Sequence, residues 1–297
     1  MFPAILAGIA AGALWGLTFI APRFIGTASA ADLVMARFAC YGAISALWLI
    51  WQRGAPLAGL GPRDWLRLIA LGALGNSLYY LLTVFAVRAG SAGLAALIVG
   101  TLPVMFAIAG NLLRPALPWP RLALALAPIA AGLALLAGHG GGGTIGFTVT
   151  GALLALAAMA SWLAYGLMNA AYLGGRPAVS ALDWAALVGI GTALTLPLVG
   201  LAALAQGEGL FATGAHGPLI LWGIGLGVLS SGLATWLWNI ASARVPAAAL
   251  GYLIVSETLF ALVYAFALDA RLPTATEGAS IALLLGGTLA GLRATRA

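Results

Sequence analysis

Apolar residues fill the chain in ten long runs, separated by short polar or glycine-rich gaps. Each run holds roughly 18–24 residues, and a helix of ~20 residues at about 1.5 Å per residue crosses the ~30 Å hydrocarbon core of a bilayer. The runs are too long and continuous for the ~10-residue alternating strands of a membrane barrel. We therefore predict ten membrane-spanning helices, called span 1 to span 10, at residues 2–21, 32–51, 65–87, 92–113, 119–137, 149–172, 183–205, 218–240, 246–268 and 277–294.

Composition supports a membrane protein. The 297 residues are 63% hydrophobic and 7% charged, with a mean hydropathy of +1.09, whereas soluble domains carry about 25% charged residues. The spans leave no room for a separate soluble domain, and span 1 lacks the basic flank of a cleaved signal peptide. We predict an all-α integral membrane protein without a cofactor, with the lipid bilayer as its main partner; a monomer is compatible with the sequence.

The positive charges orient the predicted bundle. All thirteen cationic residues are arginines, and Arg37 lies within span 2. Three lie in the odd-numbered gaps: Arg23, Arg88 and Arg271. Nine lie in the even-numbered gaps and the C-terminal tail: Arg53, Arg63, Arg67, Arg114, Arg121, Arg176, Arg244, Arg293 and Arg296. The positive-inside rule therefore predicts a multi-pass protein of the bacterial inner membrane with both termini in the cytoplasm. Its net charge of +6 matches an anionic lipid surface and needs no nucleic acid.

Most acidic residues in the spans are predicted to cap helices. Asp32, Asp64, Asp183 and Glu277 stand at span starts, where a carboxylate faces the positive end of the helix dipole and accepts bonds from free N–H groups. Cys40 has no intrachain disulfide partner and is predicted to be a small apolar filler of span 2.

The two halves of the chain resemble each other. At a constant offset of 156, residues 79–103 align with 235–259, so that Arg88 meets Arg244 and Thr101 meets Glu257. Span 1 also resembles span 6, with Trp15 aligned to Trp162. Because each copy holds five spans, the copies have opposite orientations, which is typical of secondary transporters. We predict two five-helix repeats at 1–138 and 144–297 within one membrane domain, joined by the glycine-rich run "GHGGGG" (138–143).

Three motifs carry a resemblance to a known family. They are "LWGLTF" (14–19) in span 1, "GTLPVMFAI" (100–108) in span 4, and the R-x-x-x-A sequences at Arg88 and Arg244. With ten spans in two repeats, the chain resembles the drug/metabolite transporter superfamily, and within it the bacterial exporters of aromatic and other amino acids. The resemblance implies a central cavity lined by the first four spans of each repeat, with spans 5 and 10 set apart. Members of the family often have a proline in span 9 at the position that corresponds to Pro103, and this chain has Leu259 there.

Aromatic and polar side chains deep in the spans are candidates for lining that cavity. Spacings of i, i+3 and i+7 place Trp162, Tyr165 and Asn169 on one helix face. An aromatic face beside amides and hydroxyls can hold a flat apolar side chain and its charged ends. The alternative is hydrogen bonding between helices. The candidate substrate-binding residues are Trp15, Asn76, Tyr79, Tyr80, Thr83, Trp162, Tyr165, Asn169, Thr235, Trp236, Asn239 and Glu257.

Glu257 is the one acid far from both ends of its span. A charge at mid-bilayer costs about 2.5–3.5 kcal/mol on insertion scales, so its environment must compensate. Three alternatives stay open. Glu257 is protonated and serves as a plain hydrogen-bond donor, or it pairs with Arg37, which could instead snorkel to the outer surface. In the third, it faces the cavity and meets a substrate ammonium or a coupling proton.

The sequence favours a carrier over an enzyme. It contains no G-x-x-x-x-G-K-[ST] loop and no H-E-x-x-H motif, and its two histidines, His139 and His216, lie in predicted external loops. Pro103 and Pro197 lie within spans and are predicted to kink them, which suits a moving bundle. We predict a secondary transporter that exports small metabolites, best represented by neutral and aromatic amino acids, by alternating access. A broad drug or nucleotide-sugar permease and a channel are the alternatives.

The arginine distribution gives a direct test of orientation. A reporter that is active only in the periplasm, fused after Ala297, should give no signal because the C-terminus is expected in the cytoplasm. The same reporter placed in the gap after span 1 is the positive control. A strong signal from the C-terminal fusion would reverse the orientation.

Overall fold

The computed structural model describes residues 2–26, 28–90, 98–139, 148–175, 179–207, 209–212 and 216–294. Its regular structure within these ranges is helical throughout. The α-helices are α1 (Phe2–Gly16), α2 (Ala30–Trp51), α3 (Pro62–Gly72), α4 (Leu78–Ala89), α5 (Leu102–Leu113), α6 (Trp119–His139), α7 (Val149–Gly175), α8 (Ala181–Ala193), α9 (Leu196–Ala205), α10 (His216–Gly225), α11 (Ala234–Ser242), α12 (Ala247–Leu268) and α13 (Ala275–Ala294).

These helices match the ten predicted spans. Eight helical stretches in the described ranges are long and apolar enough to cross a bilayer. Two shorter apolar helices, Leu102–Leu113 and Trp119–Leu135, belong to spans 4 and 5, and the N-terminal part of span 4 (92–97) lies outside the described residues. The predicted all-helical membrane fold is confirmed.

Several spans depart from a straight α-helix, and prolines account for three of the departures. The α-helical part of span 1 ends at Gly16, earlier than predicted, and continues in 3₁₀ turns at Leu17–Phe19 and Ala21–Arg23 with Pro22 in the second. Span 7 breaks between α8 and α9 just before Pro197. Span 4 has a turn at 100–101 just before Pro103. A proline cannot donate a backbone hydrogen bond to the preceding turn, and α12 runs unbroken through Leu259.

All four predicted capping acids cap their helices. The Asp32 carboxylate accepts from the Ser29 backbone N–H at 3.1 Å, and the Ser29 hydroxyl accepts from the Asp32 N–H at 3.0 Å. Ser180 and Asp183 begin α8 in a similar way, with the Ser180 hydroxyl accepting from the Asp183 N–H. Asp64 accepts from the Gly61 N–H. The Glu277 carboxylate accepts from the Thr274 N–H at 2.8 Å and from the Arg271 guanidinium.

Packing between spans is nearly unchanged when the halves are exchanged. Span 1 packs on spans 8 and 9, and span 6 packs on spans 3 and 4. Span 2 packs on spans 7 and 8, and span 7 on spans 2 and 3. Spans 4 and 9 pair with each other, as do spans 5 and 10. Spans 5 and 10 otherwise contact mainly spans 4 and 9, so they stand apart from the other six. The first predicted repeat ends at residue 138 and the second begins at residue 144, and residues 140–147 lie outside the described residues.

Spans 3 and 8 contain matching π-helical segments. The first is Ala73–Ser77, between α3 and α4, and the second is Leu226–Leu233, between α10 and α11. The offset of 156 maps the first segment onto 229–233, inside the second. A π turn disturbs the regular i→i−4 hydrogen-bond ladder, so nearby carbonyls can accept bonds from side chains, and such turns are frequent at functional sites. The Leu74 carbonyl accepts from the Ser161 hydroxyl at 2.8 Å.

Contacts between the gaps agree with a chain that crosses the bilayer at every span. At one face, the Arg23 guanidinium in the gap after span 1 lies 2.6 Å from the Asp269 carboxylate in the gap after span 9. The Phe211 backbone N–H, in the gap after span 7, donates to the Asp32 carboxylate at 2.8 Å. Both contacts join the first half of the chain to the second.

The opposite face has its own contacts. The Trp48 indole N–H, near the end of span 2, donates to Asp183 at the start of span 7 at 2.8 Å. The Tyr172 hydroxyl, near the end of span 6, donates to Asp64 at the start of span 3 at 3.2 Å. Odd-numbered gaps therefore lie at one face and even-numbered gaps at the other.

Glycines bring some helix backbones into direct contact. A Cβ atom built at Gly191 would overlap the Leu68 carbonyl of α3, and one built at Gly72 would overlap the backbone at Thr192. Spans 3 and 7 therefore touch backbone to backbone. Small residues permit this approach in membranes, where helix association depends on close packing and hydrogen bonds.

Replacement of Gly191 by alanine tests this contact. We expect Gly191→Ala to lower the free energy of unfolding in detergent by about 1–3 kcal/mol, because the added methyl group meets a rigid backbone carbonyl. Gly225→Ala is the matched control, since no atom lies within 4 Å of a Cβ built there. Thermal unfolding of the two variants gives the comparison, and equal melting temperatures would contradict the role of Gly191.

Candidate functional site

Five aromatic side chains form a cluster at the centre of the bundle. Trp15 of α1 lies 6.0 Å from Trp162 of α7 and 5.3 Å from Trp238 of α11, measured between ring centroids. Phe106 of α5 lies 6.1 Å from Trp162, and Tyr165 lies 5.8 Å from it. We call these five residues the aromatic cluster. It joins spans 1, 4, 6 and 8, and its edge-to-face and tilted contacts are the geometries that aromatic rings prefer.

The aromatic cluster includes three predicted site residues. Trp15, Trp162 and Tyr165 come together as expected. Trp236, a fourth predicted site residue, makes no ring contact with them in the described part of the chain, whereas Trp238 of the same span contacts Trp15 and Trp162. Residues two apart on a helix point about 200° apart, so only one of the two can face the cluster.

Spacing within span 8 could have identified Trp238. Ser231, Thr235 and Trp238 follow an i, i+4, i+7 pattern, which places them on one helix face as the i, i+3, i+7 pattern does for the candidates of span 6. Phe106 gave no comparable signal, because an isolated phenylalanine in an apolar helix looks the same whether it packs on a neighbour or faces lipid. Tyr79, in α4, is partly buried and packs on the same hydrophobic core.

The predicted amides are engaged between helices. The Asn169 amide group donates to the Asn239 side-chain oxygen at 3.0 Å and accepts from the Trp184 indole N–H at 2.7 Å. Asn239 donates to the Ala181 carbonyl at 3.2 Å. These asparagine side chains are fully buried. The hydrogen-bonding alternative therefore describes Asn169 and Asn239 better than cavity lining does.

Asn76 and the predicted hydroxyls have similar local partners. The Asn76 amide group donates to the Thr192 hydroxyl at 2.9 Å, which links the π segment of span 3 to span 7. The Thr83 hydroxyl donates to the Tyr79 carbonyl within α4. Thr235 is buried, and Tyr80 packs on an apolar cluster around Tyr41.

Glu257 remains partly exposed although it lies midway along α12. Its backbone packs on α1, since Cβ atoms built at Gly12 and Gly16 would lie 2.9 Å and 3.3 Å from the Glu257 N and O atoms. Within the described residues, the carboxylate has no hydrogen bond and no ion pair. Trp15, Tyr79, Thr83 and Trp236 are also partly exposed.

Arg37 neither snorkels nor forms a contact ion pair with Glu257. Its Nε donates to the Ser231 hydroxyl at 2.8 Å, and one terminal nitrogen donates to the Ser230 carbonyl at 3.4 Å. Both acceptors belong to the π segment of span 8. The guanidinium also lies 5.1 Å from the centroid of the Phe38 ring.

The arrangement can bind a small molecule but has no feature of a metal site. Within the described ranges, no three His, Cys, Asp or Glu side chains come together as metal ligands. What the centre offers is one guanidinium, one carboxyl group and partly exposed aromatic surface. These groups can hold charges and a flat apolar body by noncovalent contacts.

Comparisons with known proteins agree with this architecture. Residues 2–138 match the EamA-like transporter family. The chain is 34% identical over 310 residues to the inner membrane protein YtfF of Escherichia coli (strain K12), in an alignment that covers 99% of this chain and 96% of that protein. A protein of known crystal structure shares its fold, with a TM-score of 0.78 at 21% identity, over 97% of this chain and 98% of the other. The chain is therefore a multi-pass inner membrane protein that belongs to the EamA-like transporter family.

Proposed function

We propose that the protein is a secondary carrier that exports small neutral metabolites, and aromatic amino acids in particular, across the inner membrane. The observation that carries this proposal is that Arg37 and Glu257 lie at the same level of the bundle as the partly exposed ring of Trp15. One positive and one negative group suit a ligand without net charge. The ring surfaces suit a flat apolar side chain.

The way the spans pack supports alternating access. Span 1 packs on spans 8 and 9, and span 6 packs on spans 3 and 4, so each packs on two spans of the other repeat. Rocking one group of spans against the other would therefore leave equivalent contacts. The π segments of spans 3 and 8 sit at matched positions beside the centre. Inverted repeats that rock about a fixed central site are the established design for secondary carriers.

Counterflow in proteoliposomes tests the proposed function. Vesicles preloaded with unlabelled L-phenylalanine should accumulate labelled L-phenylalanine transiently, and L-alanine should compete at higher concentration. A channel would give flux without counterflow. A permease for nucleotide sugars would respond to a uridine diphosphate sugar and not to amino acids, although phosphate groups call for several cations at the site. Absence of counterflow with any neutral amino acid would overturn the proposal.

Trp15 should contribute to selectivity for aromatic side chains. We expect Trp15→Ala to raise the half-saturation concentration for L-phenylalanine about 2- to 10-fold more than that for L-alanine, because an aromatic contact contributes about 0.5–1.5 kcal/mol beyond area burial. Trp51→Ala is the control, since Trp51 is 71% exposed on the outer surface of the bundle. Equal losses for both substrates would indicate packing damage alone.

Asn169 should contribute to stability and leave selectivity unchanged. Asn169→Leu removes the acceptor for Trp184 and the donor to Asn239, and we expect a loss of about 1–3 kcal/mol in the free energy of unfolding because buried polar groups stay unpaired. Thermal unfolding in detergent measures this, with exposed Gln206→Leu for comparison. A changed ratio of phenylalanine to alanine transport in Asn169→Leu would contradict the structural role.

A further inference from the structure

Arg37 is held in place by the π segment of span 8. The Nε bond to the Ser231 hydroxyl and the longer bond to the Ser230 carbonyl fix the guanidinium from one side. The Ser230 hydroxyl in turn donates to the Leu14 carbonyl of α1 at 2.5 Å. Ser230 and Ser231 therefore connect Arg37 to the backbone of span 1 at Leu14.

Glu257 lies at the same level of the bundle. Its backbone N and O atoms border Gly12 and Gly16, one turn of α1 that is centred on residue 14. α1 packs between span 8, which carries Ser230, and span 9, which carries Glu257. The side chain next to Leu14 in the sequence is Trp15, a partly exposed member of the aromatic cluster.

The two charged groups lie at the same level of the bundle but are not paired. Among the described residues, no acid lies within 4.0 Å of the Arg37 guanidinium, and no base lies within 4.0 Å of the Glu257 carboxylate. A guanidinium has five N–H donors, and Arg37 uses two of them on span 8. Unpaired charges at this depth are costly, so the two groups favour any ligand that can satisfy both.

We propose that Arg37 and Glu257 form the two ends of a binding site for a zwitterion, with Arg37 receiving a carboxylate and Glu257 an ammonium group. This proposal rests on the proposed function and names the polar contacts of that site. The guanidinium fork matches the two oxygens of a carboxylate, and the Glu257 carboxylate accepts the donors of an ammonium.

A zwitterion fits these two residues better than related ligands do. An aromatic amine would satisfy Glu257 and leave Arg37 unpaired, and an aromatic acid would do the reverse. Each analogue therefore leaves one desolvated charge without a partner, which is the strongest basis for rejecting a ligand. The site should discriminate by charge arrangement first and by side-chain shape second.

Three ligands separate these contributions in the wild-type protein. They are L-phenylalanine, phenethylamine, which lacks the carboxylate, and 3-phenylpropionate, which lacks the ammonium group. We expect L-phenylalanine to bind about 10- to 100-fold more tightly than either analogue, since hydrogen bonds to charged groups contribute about 1.5–3 kcal/mol. Ligand-induced thermal stabilisation of the purified protein gives the affinities and needs no variant.

Two variants should then show crossed effects. In Arg37→Gln, L-phenylalanine should bind no better than phenethylamine, and the affinity for phenethylamine should be unchanged. In Glu257→Gln, L-phenylalanine should bind no better than 3-phenylpropionate, whose affinity should be unchanged or higher. Arg23→Gln is the matched control, because Arg23 pairs with Asp269 at the surface. Its selectivity should equal that of the wild-type protein.

The outcomes distinguish this proposal from the proposed function. If wild-type protein shows L-phenylalanine counterflow but binds the three ligands equally, the carrier stands and the zwitterion site is wrong. If no neutral amino acid gives counterflow or stabilisation, both are wrong. If Arg37→Gln does not fold, Arg37→Lys is tested in its place, because it keeps the charge and loses the planar fork. The site would be overturned if Arg37→Lys binds L-phenylalanine with unchanged affinity and the wild-type protein binds the three ligands equally.

Discussion

Every backbone N–H and C=O group in a bilayer must find its partner within the protein, because the hydrocarbon core offers no water. This requirement explains why the described chain is helical throughout its regular structure and why its irregular points are few. Each such point has a compensating contact. The turn before Pro103 holds Thr101, whose hydroxyl donates to the Ile98 carbonyl. The π segment of span 8 receives Arg37 at the Ser230 carbonyl. Irregular backbone and polar side chains are thus found together, in the middle of the bundle.

The sequence was sufficient for the spans and their starts, because both depend on local physics. Length and hydropathy define a membrane helix, and a Ser-x-x-Asp pattern such as Ser29–Asp32 caps its first turn whatever surrounds it. The site was harder to predict because it depends on how neighbouring helices rotate and pack. Spacing placed Trp162, Tyr165 and Asn169 on one face, but only the neighbouring helix decides that Asn169 meets Asn239 and Trp184. The position of Trp238 in the aromatic cluster depends on helix rotation in the same way.

The scaffold is more symmetric than its centre. The capping pairs Ser29–Asp32 and Ser180–Asp183 correspond at an offset of 151, and the π segments of spans 3 and 8 correspond at 156. At these offsets Arg37 corresponds to Val188, which is fully buried, and Glu257 corresponds to Thr101. Neither charged residue therefore has a charged counterpart in the other half. Symmetric packing provides the framework, and two unmatched residues supply the chemical character of the centre.

The Asp32 carboxylate has two tasks, as it caps α2 through Ser29 and holds the Phe211 N–H of the gap after span 7. Separation of that gap from span 2 would leave a half-satisfied carboxylate and a free amide, while loss of the side chain would release both contacts at once. Fraying of the first turn of α2 and detachment of the gap are consequently one cooperative event rather than two. Amide hydrogen exchange at Phe211 would therefore report on the end of a helix that lies almost two hundred residues earlier in the chain.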